Sequence, residues 1–302
     1  MDGDAFADLV MFARLEVAAA DIEPWAAILE HLHRGGYLDD EEALWAVKLY
    51  NATDDLGTTW RLRDRWPTPA AWSSDLDHTF ARGLPLSRER RNLRGGRITQ
   101  HLDSYLAHLH GQTQSTWLWE AVPPGATPTE AFGTLIPYLR RVWGVGRQTA
   151  FEWCEFVAKV GGLPVEAPDA YLWESSGPRE SLERLYNRGA PAPSPQWLNT
   201  VAADCRAALA AAGVALTWWD FETVICDFKV MCKGRYYPGQ HIAMIREEIE
   251  GLPDPHRGHL RRALQAVVPA PWCDVPPGPD KALARAYRDT GAITTPLEGA
   301  TV

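Results

Sequence analysis

Apolar residues recur at intervals of three and four along most of this chain, and strict alternation of apolar and polar positions is scarce. The pattern predicts helices over residues 6–19, 24–33, 40–50, 98–110, 129–142, 149–160, 197–212, 218–231, 240–250 and 255–267, with one further short helix at 280–288. Breakers fall where these segments should stop: Gly35-Gly36, Pro123-Pro124-Gly125, Gly161-Gly162, Pro191 to Pro195, Gly213 and Gly251. The expected class is therefore all-α, mainly helical. The breakers suggest an N-terminal helical region over 1–124, a second region over 125–268, and a C-terminal arm over 269–302 that is partly disordered.

Composition narrows what such a chain can do. With 302 residues, 46% apolar and 23% charged, it can bury one large core or two smaller ones. A formal net charge of −9 excludes a protein that coats nucleic acid through bulk attraction, and leaves room for a local basic patch. Fourteen tryptophans are compatible with either core packing or stacking on bases. The five cysteines, Cys154, Cys205, Cys226, Cys232 and Cys273, are odd in number and lack paired spacing, which suits neither a disulfide framework nor an iron–sulfur ligand set. The first residues are acidic, and no apolar run reaches the roughly 18 residues of a membrane span. A cytoplasmic protein with no membrane partner is expected.

Residues 135–150 read Leu-Ile-Pro-Tyr-Leu-Arg-Arg-Val-Trp-Gly-Val-Gly-Arg-Gln-Thr-Ala, two helical stretches around a Gly-Val-Gly turn. Gly144 and Gly146 can take positive φ and bring backbone N–H groups close to an anion. The following helix, whose first side chain is Arg147, presents its positive end beside them. Ala150, Phe151, Cys154, Val157 and Ala158 recur at helical spacing, so this second helix should pack one face inward. Taken alone, the turn is equally a plain helical hairpin. Past the Gly161-Gly162 break, however, Asp169 stands in a proline-restricted segment expected to open another helix. This arrangement resembles the helix-hairpin-helix DNA glycosylase superfamily, in which such a hairpin is followed by a catalytic aspartate at a helix start. The resemblance implies that role for Asp169, with a simple N-cap as the structural alternative. It also implies a glycosylase-like fold, in which successive regions often interleave. Where strand-cleaving members carry a Schiff-base lysine this chain has Gln148, which argues against lyase chemistry.

Two further stretches carry chemistry. Residues 82–97 hold Arg90, Arg91, Arg94 and Arg97 among other arginines, with Glu89 as the sole acid. Arginine suits bidentate contact with phosphate, so this segment reads as a cradle for a compact polyphosphate, a grip on duplex backbone, or a solvated loop. Farther on, Glu222, Cys226 and Lys229 lie at i, i+4 and i+7 on one helical stripe, either an inward polar site or the charged side of an amphipathic core helix. The loop after it places Tyr236 and Tyr237 where they can stack on DNA or fill a core.

Together these blocks resemble the amino acid:DNA transferases of phages, also called alpha-glutamyl/putrescinyl thymine pyrophosphorylases, over roughly residues 40–250. The resemblance implies a glycosylase-like fold in a phage-infected bacterial host. The implied reaction replaces pyrophosphate on a 5-(pyrophosphoryloxymethyl)uracil in DNA with the amine of an amino acid or polyamine. In it, Arg90, Arg91, Arg94, Arg97 and Lys229 would stabilise the departing pyrophosphate. Asp169, or Glu222 as second choice, would steady the cationic methylene or take the proton from the attacking amine. Gly144, Gly146, Arg147, Tyr236 and Tyr237 would hold DNA. No cofactor is demanded. Mg2+ could assist the pyrophosphate, although no carboxylate cluster calls for a metal. The competing readings are a monofunctional helix-hairpin-helix glycosylase, whose leaving group needs no polyphosphate cradle, and a non-catalytic DNA-binding protein, which would tolerate loss of Asp169.

Overall fold

A computed structural model describes residues 1–73, 78–186 and 194–297 of the chain. Among these residues the structure is helical throughout, without a strand, as the periodicity requires. The cap chemistry explains several boundaries. Asp39 and Glu42 form a capping box that opens Asp40–Thr53, and Thr127 with Glu130 does the same for Pro128–Leu139, with Pro128 in the first turn. The short helix in the C-terminal arm runs over Lys281–Thr290, opened by the side chain of Asp280. The expected disorder falls partly on residues 298–302, which lie outside the described residues. No helix among the described residues is long and apolar enough to cross a membrane.

Helices that the periodicity missed also appear, among them Leu56–Arg65, Gln114–Glu120 and Gly177–Leu185. The first reads Leu-Gly-Thr-Thr-Trp-Arg-Leu-Arg-Asp-Arg, where glycine and two threonines weaken the local preference for helix. It forms because Asp55 caps it, accepting from Thr58 N at 2.6 Å, and because Leu56, Trp60 and Leu62 are buried.

The chain separates into two compact units, each assembled from more than one stretch. One unit comprises Met1–Pro24, Ala167–Glu247 and Leu264–Val302, the other Trp25–Glu166 and Glu248–Ala263. The boundary expected at Pro124 lies inside the second of these. Packing across it accounts for this: Trp117, before the break, meets Tyr138 at 4.7 Å and Trp153 at 6.0 Å between ring centroids.

The unit containing residues 25–166 is organised around Asp40–Thr53, in which every residue from Ala43 to Thr53 is buried. Trp25 stacks on Tyr50 at 3.5 Å, and the Trp45 indole donates to Trp66 O at 2.7 Å. The unit containing residues 167–247 has its own core, with Leu9, Phe12, Leu182, Cys205, Phe221, Ile225 and Phe228 at 0% exposure. Gly177, opening Gly177–Leu185, lets that helix approach Trp218–Cys232 closely. A β-carbon at Gly177 would stand 2.9 Å from the Cys226 sulfur.

One half-buried acid sets a pH dependence. Glu248 accepts the Leu56 N–H at 2.7 Å, at the start of the helix that Asp55 also caps. Burial, with Asp55 and Asp54 nearby, pushes its carboxyl from 4.5 up to about 8. Because the folded value exceeds the unfolded one, the stability tied to this proton is complete below about 4.5 and is lost as pH rises through about 8. Glu248→Gln should therefore gain on the wild type by a few kcal/mol, on the order of 1–3, between pH 5 and 9. Urea unfolding at both pH values checks this, and parallel pH profiles for the two proteins would refute it.

Candidate functional site

The hairpin is formed as the sequence suggests. Pro128–Leu139 runs into a turn, and Arg147–Lys159 starts from Gly146 with no side chain capping its first turn. Ala150, Phe151, Cys154 and Val157 are buried and Ala158 is half-buried, so the second helix is anchored along one face. Gly144 has φ +83°, a conformation that disfavours any side chain. Its surroundings add a steric reason, since a β-carbon there would stand 3.1 Å from Leu93 Cδ2 and 3.3 Å from His101 Nδ1. Gly146 behaves otherwise than expected: its φ is −87°, ordinary extended backbone, and it serves as the N-cap of Arg147–Lys159.

The arginine-rich segment packs against this turn. Its start is tied to the central helix, with Ser87 donating to the Asp54 carboxylate at 2.5 Å and Ser87 N to Thr53 O at 3.1 Å. Its short 3-10 turn, Arg91–Leu93, buries Leu93 beneath Gly144, while Asn92 Nδ2 donates to Gly144 O at 3.3 Å. The hairpin and the basic segment thus meet within one unit. The Asn92–Gly144 bond joins positions 52 residues apart.

The arginines divide into two kinds. Arg91, Arg94 and Arg97 are exposed. Arg94 reaches back to Leu86 O at 3.0 Å and Ser87 O at 3.1 Å, and Arg97 opens Arg97–Leu109. Arg90 is different. Expected among the substrate contacts, it is 2% exposed, donates through Nε to Asn51 O at 2.7 Å and forms an ion pair with Glu152. Burial by itself works against its charge, but the Glu152 and Asp54 carboxylates more than offset this and hold it protonated. Arg90 therefore fastens the basic segment to the hairpin's second helix instead of facing a substrate. Gln148 joins the same network, donating to Glu152 Oε1 at 2.9 Å. Arg147 is also buried, its guanidinium carbon 5.7 Å from the Phe151 ring centroid, so its side chain is not laid out toward a DNA backbone.

Beneath the turn lies a pair that the sequence did not single out. Lys48 and His101 are both fully buried, with 2.7 Å between Lys48 Nζ and His101 Nε2, and His101 Nδ1 is 2.7 Å from Trp143 O. Burial, reinforced by the neighbouring Lys48, drives the imidazole well below its ordinary value, so it is neutral. A neutral ring that donates from Nδ1 to the carbonyl accepts from Lys48 at Nε2. The Lys48 nitrogen also sits 3.8 Å from the Trp153 ring centroid. Burial, with Arg90 close by, pushes the Lys48 amine well below its usual value.

Asp169 belongs to the other unit, where its carboxylate shapes a local turn and does not cap an α-helix. Oδ1 accepts Tyr171 N at 2.7 Å, Oδ2 accepts Asn199 Nδ2 at 3.1 Å, and Tyr171 stands in the left-handed region with φ +50°. The chain continues into a 3-10 turn over Leu172–Glu174, a shorter element than the helix expected there. Asp169 remains half-buried. In the same unit Glu222, Cys226 and Lys229 share a stripe of Trp218–Cys232 as their spacing requires, with Glu222 8% exposed. Lys229 faces the helix Gly177–Leu185. There it lines a cavity of about 60 Å³ with Glu180, Ser181, Arg184, Cys232 and Lys233, and Lys233 pairs with Glu180 at 2.7 Å.

Tyr236 and Tyr237 do not offer their rings to DNA. Each is 2% exposed. The Tyr236 hydroxyl donates to Asp21 Oδ2 at 2.7 Å and lies 3.1 Å from Glu16 Oε2, while the Tyr237 hydroxyl accepts Asp280 N at 3.0 Å. Two buried carboxyls require polar partners, and Tyr236 is placed to supply one. Asp21 also accepts Gly239 N and Ile242 N at 2.7 and 2.8 Å, which anchors the start of Gln240–Glu250. Among the described residues no group of three or more His, Cys, Asp or Glu is arranged to hold a metal ion.

A family model described as amino acid:DNA transferase matches residues 71–237, more than half of the 302-residue chain. The matched span includes the arginine-rich segment, the hairpin, Asp169 and the stripe from Glu222 to Lys229. No curated protein matches the chain.

Proposed function

Because the chain belongs to the amino acid:DNA transferase family, we propose that it joins the amine of an amino acid or polyamine to DNA at a 5-(pyrophosphoryloxymethyl)uracil, releasing pyrophosphate. The observation that carries this reading is the docking of an arginine-rich segment onto a glycine hairpin, in a protein whose formal net charge is −9. Local positive charge in an acidic protein favours a site built for a compact polyanion over general attraction to a duplex.

In the proposed reaction the amine lone pair forms a bond to the methylene carbon, and the carbon–oxygen bond to pyrophosphate breaks with its electron pair leaving on oxygen. Arg91, Arg94 and Arg97 are suited to the charge gathering on the departing group. Lys229 is a further candidate cation. Asp169 would take the proton that the new carbon–nitrogen bond makes acidic, with Glu222 as the alternative base. Holding the amine against the methylene would supply much of the acceleration. A glycosylase would expel an uncharged or singly charged base, a leaving group that needs no polyphosphate cradle.

The direct test is to incubate the protein with DNA carrying the pyrophosphorylated base and a mixture of amino acids and diamines, then identify the nucleosides by mass spectrometry. An amine adduct with equimolar pyrophosphate is the expected result. Release of free base would establish the glycosylase reading instead. Arg91→Ala and Arg94→Ala should each weaken binding of the pyrophosphorylated DNA by about tenfold or more, as expected for loss of a charge-assisted contact worth about 1.5–3 kcal/mol. Plain DNA of the same sequence should lose much less. Equal losses on both DNAs would assign these arginines to the duplex backbone.

A further inference from the structure

Trp143 is 39% exposed, one of few large apolar side chains left open to solvent among the described residues. It stands immediately before Gly144 in the hairpin turn. Its backbone is fixed on both sides: Trp143 N donates to Ser104 Oγ at 2.9 Å, and Trp143 O accepts from His101, itself held by buried Lys48. The next carbonyl, that of Gly144, is held by Asn92. A rigidly pinned residue that nevertheless exposes an indole leaves apolar surface in water that a tryptophan elsewhere in this unit, such as Trp45 or Trp153, buries almost completely.

The charge around the turn selects the occupant. Arg91, Arg94 and Arg97 are exposed on the segment packed against it, and Arg141, two residues earlier in the chain, is exposed as well. A flat aromatic face beside several guanidinium groups matches a nucleic-acid strand, whose bases present π-faces and whose phosphates are anionic. We propose that Trp143 is a DNA-contact residue whose indole stacks on a nucleobase of the bound strand. This rests on DNA being the substrate, and it adds to the backbone grip of the turn a contact that is apolar and insensitive to salt.

The test measures binding of a labelled oligonucleotide by wild type, Trp143→Ala, Trp143→Phe and Arg141→Ala across a salt series. Trp143→Ala should weaken binding about tenfold with an unchanged salt slope, Trp143→Phe should restore most of the loss, and Arg141→Ala should lower the slope by about one. On a strand made wholly of abasic sites, wild type and Trp143→Ala should bind alike. Trp143→Phe keeps an aromatic ring in place, and the abasic strand separates lost stacking from lost structure. Equal affinity of wild type and Trp143→Ala for normal DNA overturns the proposal, as does a deficit that persists on the abasic strand. If the wild-type chain binds no DNA at all, the transferase reading itself falls, which separates the two failures.

Discussion

Arg90→Met is expected to lower the free energy of unfolding by about 3–5 kcal/mol, the cost typical of removing one partner from a buried ion pair. The guanidinium is 2% exposed and is shared between the Glu152 carboxylate and Asn51 O. Methionine fills much of the same volume without charge, so the loss would report the carboxylate left behind more than a cavity. Gln148 would remain on Glu152 Oε1, but a neutral amide cannot balance a buried anion. The double variant Arg90→Met with Glu152→Gln removes both charges and should recover a substantial part of the stability. Urea unfolding at neutral pH decides the matter. A double variant as unstable as the single one would show that shape, not charge, is what Arg90 supplies. The change would also reach the basic segment, because Arg90 ties that segment to the helix Arg147–Lys159.

For Asp169→Asn the expected result is a loss of turnover by about 10²–10⁴, the range typical of removing a general acid or base. DNA binding should stay close to wild type. Asparagine keeps the shape of the side chain and an oxygen for Tyr171 N, which in the native protein is 2.7 Å from Asp169 Oδ1. The local turn should therefore survive while the charge and the proton acceptor are removed. Single-turnover formation of the amine adduct measures the chemical step, and the affinity for substrate DNA is measured on the same samples. A variant with normal turnover would exclude Asp169 from proton transfer and move attention to Glu222.

The positions of the helices were legible because burial on one side of a helix imposes its own period on the chain. The hairpin was legible because Gly-Val-Gly between two apolar repeats has few other uses. Orientation was not. Arg90, Arg91, Arg94 and Arg97 look alike in a list of residues, yet one is buried against Glu152 and three are exposed, a difference set by a partner 62 residues away. Tyr236 and Tyr237 read as stacking surfaces because they follow a helix in a glycine-rich loop. What decides the fate of Tyr236 is the pair of buried acids Glu16 and Asp21, 220 and 215 residues away in the chain, while the Tyr237 hydroxyl is taken by the amide of Asp280. Lys48 escaped notice because a lysine on a helix normally marks the solvent side, whereas here the whole stretch from Ala43 to Thr53 is enclosed. Trp143 was visible as a letter of the hairpin, but only the coordinates distinguish an exposed indole from a buried one.

The turn at Trp143 and Gly144 owes its shape to side chains supplied from elsewhere: Asn92, His101 and Ser104 hold its carbonyls and an amide, and Leu93 closes the space that a β-carbon would need. It is consequently not a portable cassette. Grafted into a foreign scaffold, residues 135–158 would bring their two helices but leave behind the clamps that set the loop between them. Within a lineage, drift at position 92 or 104 would be felt at the loop as directly as drift in the loop's own letters.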